Sequence, residues 1–354
     1  MSSNKRVLLG MSGGVDSSVA AVLLKEQGYE VVGVTMKLFE HNLNGSCGNS
    51  EVMDDAKKVC DFLNIEHHII DFSADFKKYV IDNFICEYKN SRTPNPCIEC
   101  NKYMKFGAMY EKAKELDCEY IATGHYAKTE FDEKYQKHVL KKSKAGKKDQ
   151  SYVLYNLPKE MVSKVLFPLA DFTNKAEIRE IANKYNLPVA NKPDSEDICF
   201  IPDGDYKKFL EDNSDLKSNP GKIVNAKGEV LGKHDGLHGY TIGQRRGLGI
   251  AYRVPLFVIG FDVKKNQVIV GEENELYTKE FLIKDYNFIL IDNLENEMDV
   301  EIKIRYSANT AKGKIIMEGE FIKVIFDEPQ RAVTPGQSAV FYDGDVVIGG
   351  GKIV

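Results

Sequence analysis

Tryptophan is absent from the 354-residue chain, so stacking on nucleic-acid bases would depend on tyrosine, phenylalanine or histidine. No apolar run approaches the ~20 residues of a membrane span. The first residues lead from Lys5 and Arg6 directly into an apolar strand, without the longer apolar core of a signal peptide. These absences predict a cytoplasmic protein with no membrane partner.

Cysteine content and net charge are both low. The seven cysteines are odd in number and spread over a long chain, which argues against a disulfide framework and favours thiols that are buried, catalytic or metal-bound. A net charge of −5 gives no overall attraction to nucleic acid, so any RNA site must be a local basic patch. Apolar residues make up 43% of the chain, enough for the cores of two or three domains.

The most informative stretch is the glycine- and serine-rich segment at residues 10–18. It follows the apolar run 7–9 and precedes the apolar run 19–24, an order that predicts strand, turn and helix. Gly13 and Gly14 allow the backbone to turn with positive φ and to approach a ligand closely. The free N–H groups of the helix start and the serine hydroxyls can donate to phosphate oxygens. The segment therefore predicts an anion site.

Two common phosphate loops do not fit this segment. A Walker A loop requires a lysine after its last glycine, and the dinucleotide-binding loop requires Gly-x-Gly-x-x-Gly; residues 10–18 have neither. Residues 12–17, Ser-Gly-Gly-Val-Asp-Ser, instead resemble the SGGxDS loop of ATP pyrophosphatases, which cleave ATP to AMP and pyrophosphate while adenylating a carbonyl oxygen. In this interpretation Asp16 caps the helix or helps to hold Mg²⁺. The alternative is a turn that only caps a helix.

Strands and helices alternate along the first third of the chain. We expect strands at residues 30–36, 67–71 and 120–124, helices at 50–63, 73–90 and 98–116, and a loop at 37–49. Such alternation predicts a parallel sheet covered by helices on both faces, with ligands at the carboxyl ends of its strands. His125 directly follows Gly124, so we expect an exposed histidine at that edge of the sheet.

Two cysteines lie in the segment Arg-Thr-Pro-Asn-Pro-Cys-Ile-Glu-Cys, residues 92–100. Its prolines are expected to exclude helix before Ile98, which would place Cys97 and Cys100 at a helix start, where the helix dipole favours a reactive thiolate. The alternative is half of a zinc site, but the sequence has no second Cys-x-x-Cys to complete it. Cys199, in the extended segment 194–202, is by itself most simply a small buried residue.

The strongest basic patch lies at residues 134–148, which contain seven lysines and no acidic residue. This run favours contact with an RNA backbone, and a solvated charged hairpin is the alternative. Helices are expected at 152–166 and 175–185. A second glycine-rich stretch, at residues 239–249, contains two arginines; it could approach a nucleic-acid backbone or be a turn-rich connection, and the sequence does not distinguish the two.

The C-terminal part is rich in short strands. After a short helix at about 205–211, β-type runs separated by turns begin at residue 257 and continue to the C-terminus, which predicts a small antiparallel barrel. We therefore expect an α/β fold. It comprises a doubly wound parallel sheet of the adenine nucleotide alpha hydrolase-like (PP-loop) type at residues 1–204, a small central α+β domain at 205–275 and a C-terminal antiparallel β-barrel at 276–354.

Eight sequence blocks, in order, resemble the bacterial tRNA-specific 2-thiouridylases. They are GMSGGVDSS, RTPNPCIECN, ATGHYA, KDQSY, SEDICFIP, GYTIGQRRGLG, IRYS and TPGQSAVFYDGDVVIGGGKI. The first block alone is shared with synthetases of argininosuccinate, GMP and asparagine, whereas the ordered set runs from residue 10 to the C-terminus. The resemblance implies a tRNA-modifying transferase that uses ATP and Mg²⁺ to adenylate the C2 oxygen of a wobble uridine and then introduces sulfur, releasing AMP and pyrophosphate.

The resemblance also implies roles for the residues that match its motifs. Those that would bind ATP are Gly10, Met11, Ser12, Gly13, Gly14, Val15, Asp16, Ser17, Met36 and Gly124. Cys199 would carry the persulfide, and Cys100 would free its sulfur or resolve to a Cys100–Cys199 disulfide. The pocket for the target base would be lined by Asn95, Pro96 and Cys97. Those that would touch tRNA are His125, Lys148, Asp149, Gln150, Arg305, Tyr306 and Gln337.

Cys97 departs from a common family pattern, in which many members have aspartate. The change removes an acid/base carboxylate and creates a three-thiolate set, Cys97, Cys100 and Cys199, that could hold an iron–sulfur cluster. Cys199 would then be a ligand, and the persulfide route, which we favour, would be wrong. The expected partners are a tRNA with a wobble uridine and an upstream sulfur donor, either a cysteine desulfurase or a sulfur-relay protein.

Two other classes of protein share some of these features. One is an ATP pyrophosphatase with a small carbonyl or amide substrate, which would not need the basic run, the barrel or Cys199. The other is an RNA-binding or iron–sulfur carrier protein with a vestigial loop, against which the intact loop sequence argues.

Overall fold

The computed structural model describes residues 5–38, 50–193, 198–201 and 203–354. Most of the predicted loop at 37–49 and part of the predicted extended segment at 194–202 lie outside these residues. Within the described ranges, no helix combines the length and the apolar character needed to cross a membrane.

The first half of the chain is built around a parallel sheet. The strands in this half of the chain are Arg6–Gly10 (β1), Glu30–Lys37 (β2), Glu66–Asp71 (β3), Tyr120–Ala122 (β4), Ala127–Asp132 (β5), Lys137–Lys142 (β6) and Val165–Leu166 (β7). The parallel sheet has the order β3-β2-β1-β4-β7. Since β1 lies between β2 and β4, the strand order reverses there, which is where a doubly wound sheet binds its ligand. The predicted doubly wound sheet is confirmed.

Apolar side chains on both faces of β1 explain its central position. Val7, Leu8 and Leu9 are all 0% exposed, as expected for a strand buried on two sides. Leu8 packs with residues of the helical run 96–115 on one face. On the other face, Val7 and Leu9 pack with three helices, Val15–Glu26 (α1), Ser50–Leu63 (α2) and Lys175–Lys184. These three helices begin and end close to the predicted positions.

Two longer helical runs contain a π segment each. The first comprises Ser73–Phe76, the π segment Lys77–Ile81, and Asp82–Lys89. The second comprises Pro96–Glu99, the π segment Cys100–Ala108, and Met109–Glu115. The expectation that prolines exclude helix before Ile98 is wrong, because proline is well tolerated as the first helical residue. Asn95 caps this helix, its side-chain oxygen accepting from the Cys97 N–H at 3.1 Å.

Residues 152–166 do not form the predicted helix. They form 3-10 turns at Ser151–Leu154 and Lys159–Lys164, followed by β7, so the sheet has one strand more than predicted. Pro158 separates the two turns and lacks the N–H that a continuous helix would need. The Tyr152 and Tyr155 hydroxyls both reach Ser338, at 2.8 and 3.0 Å. This segment therefore packs the parallel sheet against the C-terminal part of the chain.

The second half contains two further sheets. Its strands are Gly221–Asn225 (β8), Val230–His234 (β9), Phe257–Asp262 (β10), Gln267–Gly271 (β11), Tyr277–Phe288 (β12), Met298–Lys303 (β13), Ala311–Glu318 (β14), Phe321–Arg331 (β15), Ser338–Asp343 (β16) and Val346–Ile353 (β17). The sheet β12-β15-β14-β13-β16-β17 is antiparallel and is closed by a β12–β17 pairing. The predicted antiparallel barrel is confirmed.

A smaller four-stranded sheet, in the order β10-β11-β8-β9, follows the helix Tyr206–Asn213. β10 and β11 are the first two strands of the predicted β-rich run, whereas β8 and β9 are additional to the predicted elements. Lys222 and Lys233 interrupt the apolar pattern of β8 and β9, which explains why the pattern does not predict them.

The basic run at residues 134–148 is attached to the barrel. β5 and β6 form an antiparallel hairpin, and β17 pairs with β6, so the hairpin extends the barrel sheet. The hairpin that follows β4 is therefore joined to the barrel by backbone pairing, and the parallel sheet and the barrel share apolar packing.

Candidate functional site

The loop after β1 has the conformation expected of an anion site. Gly13 has φ +63°, and a Cβ there would lie 2.6 Å from the Val52 carbonyl oxygen, so only glycine fits. The Ser17 and Ser18 hydroxyls donate to the Gly14 carbonyl oxygen at 3.1 and 2.8 Å. Ser17 Oγ also accepts from the Ser12 N–H at 3.2 Å. These bonds hold the turn in a shape that leads directly into α1.

Gly14 is the N-cap of α1, so the expectation that Asp16 caps this helix is wrong. Because glycine has no side chain, no capping side chain competes for the first N–H groups of the described helix. A helix start of this kind, at the carboxyl end of a central strand, suits a phosphate group.

Two more of the expected nucleotide-site residues lie beside the loop. A Cβ on Gly124 would be 3.0 Å from the Ser17 nitrogen, so the end of β4 packs directly against the start of α1. Met36 lies near the carboxyl end of β2 and packs on an apolar cluster that contains Leu38 and Phe76. The structure thus brings residues 10–17, Met36 and Gly124 to one edge of the sheet.

Two lysine–carboxylate pairs flank the loop, and the sequence analysis missed both lysines. Lys175 Nζ lies 2.6 Å from Asp16 Oδ1, which also accepts a hydrogen bond from the Tyr126 hydroxyl at 2.7 Å. Lys192 Nζ lies 2.7 Å from Asp55 Oδ2 and holds the pKa of that carboxyl below its usual range. The lysine that the loop sequence lacks is therefore supplied from distant positions, which no local pattern signals.

Cys100 and Cys199 share one apolar environment in the structure. Both are half-buried and pack against one apolar cluster, which also includes Met104 and Phe200 and on which Met36 packs. Neither forms a disulfide, and the same holds for the other four cysteines among the described residues. Met36 therefore connects the nucleotide edge of the sheet with the two thiols that the resemblance assigns to sulfur transfer.

Cys97 lies apart from this cluster. It is exposed at the start of its helix, and its charge is one cause of the raised pKa of Tyr306, after burial and Asp149. In the described residues, which include all three cysteines considered as iron–sulfur ligands, no group of three or more His, Cys, Asp or Glu residues is placed to hold a metal ion. The set Cys97, Cys100 and Cys199 is therefore not assembled in the structure.

A buried ion-pair network holds the cysteine segment against the barrel. Glu87 pairs with Arg92, Nε to Oε2 at 2.5 Å, and with Lys352 at 3.5 Å. Lys352 also reaches Glu99, between the two cysteines, at 3.3 Å. Burial opposes ionisation of Glu87, but the neighbouring cations prevail and its pKa is lowered. Because loss of one partner from a buried pair is strongly destabilising, this network keeps the helix start in place.

His125 is buried rather than exposed. Only 7% of its surface is accessible, and its ring nitrogens contact the Thr123 hydroxyl at 2.7 Å and Lys105 Nζ at 3.3 Å. Burial, together with the Lys105 charge, holds the pKa of His125 well below its usual value. The expectation of an exposed histidine is wrong, because the side chain turns between Phe106 and Phe167 instead of toward solvent.

Asp149 is buried and Gln150 is half-buried. Asp149 is 6% exposed and accepts from the Ser143 N–H at 2.8 Å and the Ser151 hydroxyl at 2.6 Å. Gln150 Oε1 accepts from the Tyr126 N–H at 2.9 Å, so it supports the tyrosine that contacts Asp16. Lys148, between the basic hairpin and these residues, is exposed.

Arg305 and Gln337 tie the barrel to its neighbours. The Arg305 guanidinium donates to the carbonyl oxygens of Ile242 at 2.9 Å and Ala332 at 3.1 Å. Gln337 Nε2 donates to the Thr93 carbonyl oxygen at 2.8 Å, two residues before Asn95. Tyr306 is 37% exposed. Of these three residues, Tyr306 is the one with the most surface for a bound RNA.

Several lysines of the run pair with acidic residues, some on the same hairpin and some distant in sequence. Lys134 pairs with Asp343 at 2.6 Å, Lys141 with Asp132 at 2.6 Å, and Lys144 with Asp171 at 2.9 Å. Lys137 and Lys142 donate to backbone carbonyl oxygens. Residues 134–144 thus have the intramolecular pairs of a charged hairpin, and contact of the run at 134–148 with RNA stays a prediction.

Comparison with protein families matches three consecutive models to the chain. They are a tRNA methyl transferase HUP domain at residues 5–203, a tRNA methyl transferase PRC-barrel domain at 207–272, and an aminomethyltransferase beta-barrel domain at 278–353. Together they span the parallel sheet, the four-stranded sheet and the barrel.

Curated relatives match over nearly the whole chain. The tRNA-specific 2-thiouridylase MnmA of Clostridioides difficile (strain 630) is 49% identical over 99% of this chain and 98% of its own length. The corresponding enzyme of Acetivibrio thermocellus is 49% identical over 99% of both chains. Among solved structures, a 4-thiouridine synthetase–RNA complex with bound ATP is 19% identical, with a TM-score of 0.38 over 59% of this chain and 50% of that chain, a similarity too low to support an argument about function.

Proposed function

The chain belongs to the family of tRNA-specific 2-thiouridylases, and from this premise we propose that it is an ATP-dependent tRNA-uridine 2-sulfurtransferase. It adenylates the C2 oxygen of the wobble uridine and replaces that oxygen with sulfur, releasing AMP and pyrophosphate. One observation carries the proposal: a pyrophosphate-type loop follows β1, and Met36, near the carboxyl end of the adjacent β2, packs on the apolar cluster that Cys100 and Cys199 also contact. We place this activity in the cytoplasm. We also propose that the chain is divided into three domains, at residues 1–204, 205–275 and 276–354.

The first step requires a site for ATP. In the proposal, residues 10–17, Met36 and Gly124 bind the nucleotide, with the pyrophosphate on the N–H groups at the start of α1. Asp16 fits a Mg²⁺ ion, because a carboxylate beside phosphate oxygens is the ligand combination that Mg²⁺ prefers. Bound magnesium would offset the negative charge that develops on the departing pyrophosphate.

Lys175 is proposed to share that task. Its side chain is 14% exposed, and its ammonium lies against Asp16, within the loop that binds pyrophosphate in the proposal. A cation held beside developing negative charge stabilises the transition state without reorganising during the reaction. Lys175 would thus do from the start of its own helix what the lysine of a Walker A loop does from within the loop.

Replacement of Lys175 by methionine is expected to slow AMP release about 100-fold or more, the usual effect of removing one such stabilising group. Lys175→Arg, which keeps the charge, should retain more activity. Lys184→Met, on the exposed last turn of the same helix, should behave like the unaltered protein. Equal AMP release from Lys175→Met and Lys184→Met, at saturating ATP and tRNA, would show that Lys175 has no role in the reaction.

The second step transfers sulfur. A uracil oxygen is a poor leaving group, and adenylation makes it a good one. In the proposal, the terminal sulfur of a Cys199 persulfide attacks C2 and expels AMP, leaving a disulfide between C2 and Cys199. The Cys100 thiolate then attacks the Cys199 sulfur, which forms a Cys100–Cys199 disulfide and leaves the sulfur on C2. Thiols of an upstream sulfur donor, a cysteine desulfurase or relay protein, would reduce the enzyme and reload Cys199.

The tRNA is proposed to lie across the junction of the parallel sheet and the barrel. Asn95, Pro96 and Cys97 would line the pocket for the extruded base. Lys148 and Tyr306, whose side chains are exposed, are suited to direct contact with RNA. The buried or engaged side chains would act by positioning the surface above them: His125, Asp149, Gln150, Arg305 and Gln337.

Release of AMP and pyrophosphate from ATP, measured with and without unmodified tRNA that has a wobble uridine, tests the proposed function. We expect release to depend on the tRNA and to stop when that uridine is replaced by cytidine. Folded, ATP-binding protein whose AMP release is indifferent to tRNA would overturn the proposal and favour a small carbonyl or amide substrate.

A further inference from the structure

We infer that residues 241–255, called here the arginine loop, form a second binding surface for the sugar–phosphate backbone of the substrate RNA, separate from the pocket for the target base. The inference rests on the proposed function for the identity of the RNA. The surface itself is defined by charge, exposure and anchoring, each of which is seen in the structure.

The positive charges of the arginine loop are available to a ligand. Residues 236–260 contain no aspartate or glutamate. Arg245, Arg246 and Arg253 are all exposed, and within the described part of the chain none of them has an ion pair or a side-chain hydrogen bond. The lysines of β6 and its turn, by contrast, pair with acidic residues at 2.6–2.9 Å. Among the described residues, the arginine loop is therefore a basic surface whose three charges are not compensated by acidic side chains.

The loop encloses a crevice of suitable size and chemistry. The crevice has a volume of about 680 Å³ and is lined by residues 245 and 247–256, none of them acidic. Tyr252, at its rim, is 42% exposed and provides a ring on which a base or ribose can pack. Gly247 and Gly249 have φ values of +75° and +65°, a conformation that other residues rarely adopt and that lets a backbone come close.

Hydrogen bonds anchor the loop beside the site of the target base. The Thr93 hydroxyl donates to the Thr241 hydroxyl at 3.2 Å, and Thr93 lies in the segment that leads to Asn95. Arg305 donates to the Ile242 carbonyl oxygen. A Cβ on Gly243 would be only 3.0 Å from Ala332 Cβ, so the loop also packs against the barrel. An RNA whose wobble base occupies the pocket at residues 95–97 would thus have further nucleotides within reach of the loop.

A second, smaller crevice extends this surface onto the barrel. It has a volume of about 250 Å³ and includes Arg305 and Arg331; Arg331 also pairs with Glu273 at 3.5 Å. A Cβ on Gly243 would lie 3.7 Å from Arg331 and 3.9 Å from Arg305, so the arginine loop passes beside both arginines. Arginine rather than lysine is favoured where phosphates are held, because its planar guanidinium can donate two parallel hydrogen bonds.

The test compares tRNA binding, measured by fluorescence anisotropy at several salt concentrations, for three proteins. In the first, Arg245, Arg246 and Arg253 are all replaced by glutamine; in the second, they are replaced by lysine. In the third, glutamine replaces Lys265, Lys314 and Lys323. This control removes the same number of positive charges, but these lysines form ion pairs at 3.2, 3.2 and 3.0 Å. Thermal melting checks that each is folded.

We expect the arginine-to-glutamine protein to bind tRNA about tenfold or more weakly. The plot of log affinity against log salt concentration should also be less steep, with a slope smaller by up to about 0.9 for each lost phosphate contact. Its KM for tRNA in AMP release should rise with little change in kcat. The arginine-to-lysine protein should recover much of the affinity, and the Lys265, Lys314 and Lys323 variant should match the unaltered chain.

Unchanged affinity and salt slope in the arginine-to-glutamine protein would overturn the inference. The proposed function is tested separately by the dependence of AMP release on tRNA. Normal tRNA-dependent AMP release with no effect of the arginines would reject the arginine loop alone. Arginine-dependent RNA binding without tRNA-dependent AMP release would keep the RNA surface and reject the proposed reaction.

Discussion

Cys199→Ser is expected to abolish 2-thiouridine formation, with a loss of at least about 1,000-fold, as removal of a covalent nucleophile generally produces. Serine can neither form a persulfide nor leave as a thiolate. Adenylation should continue, because the loop at residues 10–17 and Lys175 do not depend on this thiol for their contacts. The measurements are the thionucleoside content of digested tRNA and, in parallel, tRNA-dependent AMP release.

Two further cysteines serve as comparisons for Cys199. Cys86 is exposed on the helical run 73–89, so Cys86→Ser should leave thiolation unchanged. Cys97→Ser tests the departure from the common family pattern. If Cys97→Ser abolished thiolation as completely as Cys199→Ser and removed bound iron, the three-cysteine route would replace the persulfide route. Thiolation by Cys199→Ser itself would exclude the persulfide proposed for that residue.

Gly13→Ala is expected to lower kcat/KM for ATP by at least about 100-fold, the size of effect that a displacement of about 1 Å at a catalytic site can produce. The residue has φ +63°, which is strained for alanine, and the new Cβ would lie 2.6 Å from the Val52 carbonyl oxygen. Because that oxygen belongs to the backbone of α2, it cannot simply rotate away. The loop must move instead, and the N–H groups that bind pyrophosphate in the proposal move with it.

Gly14→Ala provides a control in the same loop. Gly14 has φ −102°, which alanine adopts readily, and its nearest contact would be the Ser12 hydroxyl at 3.4 Å. We expect its kcat/KM for ATP to remain within about tenfold of the unaltered value, since a contact of this length needs no backbone shift. The kcat/KM of each of the two glycine variants is measured by AMP release over a range of ATP concentrations, and a melting curve checks that each variant is folded. Equal losses in the two variants would show that the conformation of Gly13 is not what the site requires.

Local patterns predicted much of the architecture. The apolar run at residues 7–9 became β1, the serine–glycine segment became the turn before α1, and the alternation of strands and helices became a parallel sheet. The C-terminal strands closed into a barrel. These features depend on hydrophobic periodicity and on turn residues, both of which are visible in the sequence.

Predictions failed where tertiary contacts overrode a local preference. Residues 152–166 are apolar enough for a helix, but Pro158 interrupts them and Tyr152 and Tyr155 pack toward Ser338. His125 follows a strand end, a position that favours exposure, yet its side chain is enclosed by Phe106 and Phe167. For residues 152–166 the local Pro158 acts together with the distant Ser338, and for His125 the enclosing rings come from other elements of the fold.

The sequence by itself determined the fold class and the anion loop, because both depend on residue types at short spacings, and its resemblance to a known family assigned the sulfur chemistry to Cys100 and Cys199 as a prediction. Only the tertiary structure decided which charges are available. The lysine run at 134–144 is offset by distant carboxylates such as Asp343 and Asp171, Lys175 is brought to Asp16, and the arginine loop keeps its charge exposed. Electrostatic interactions depend on separation in space, and folding, not sequence order, sets that separation.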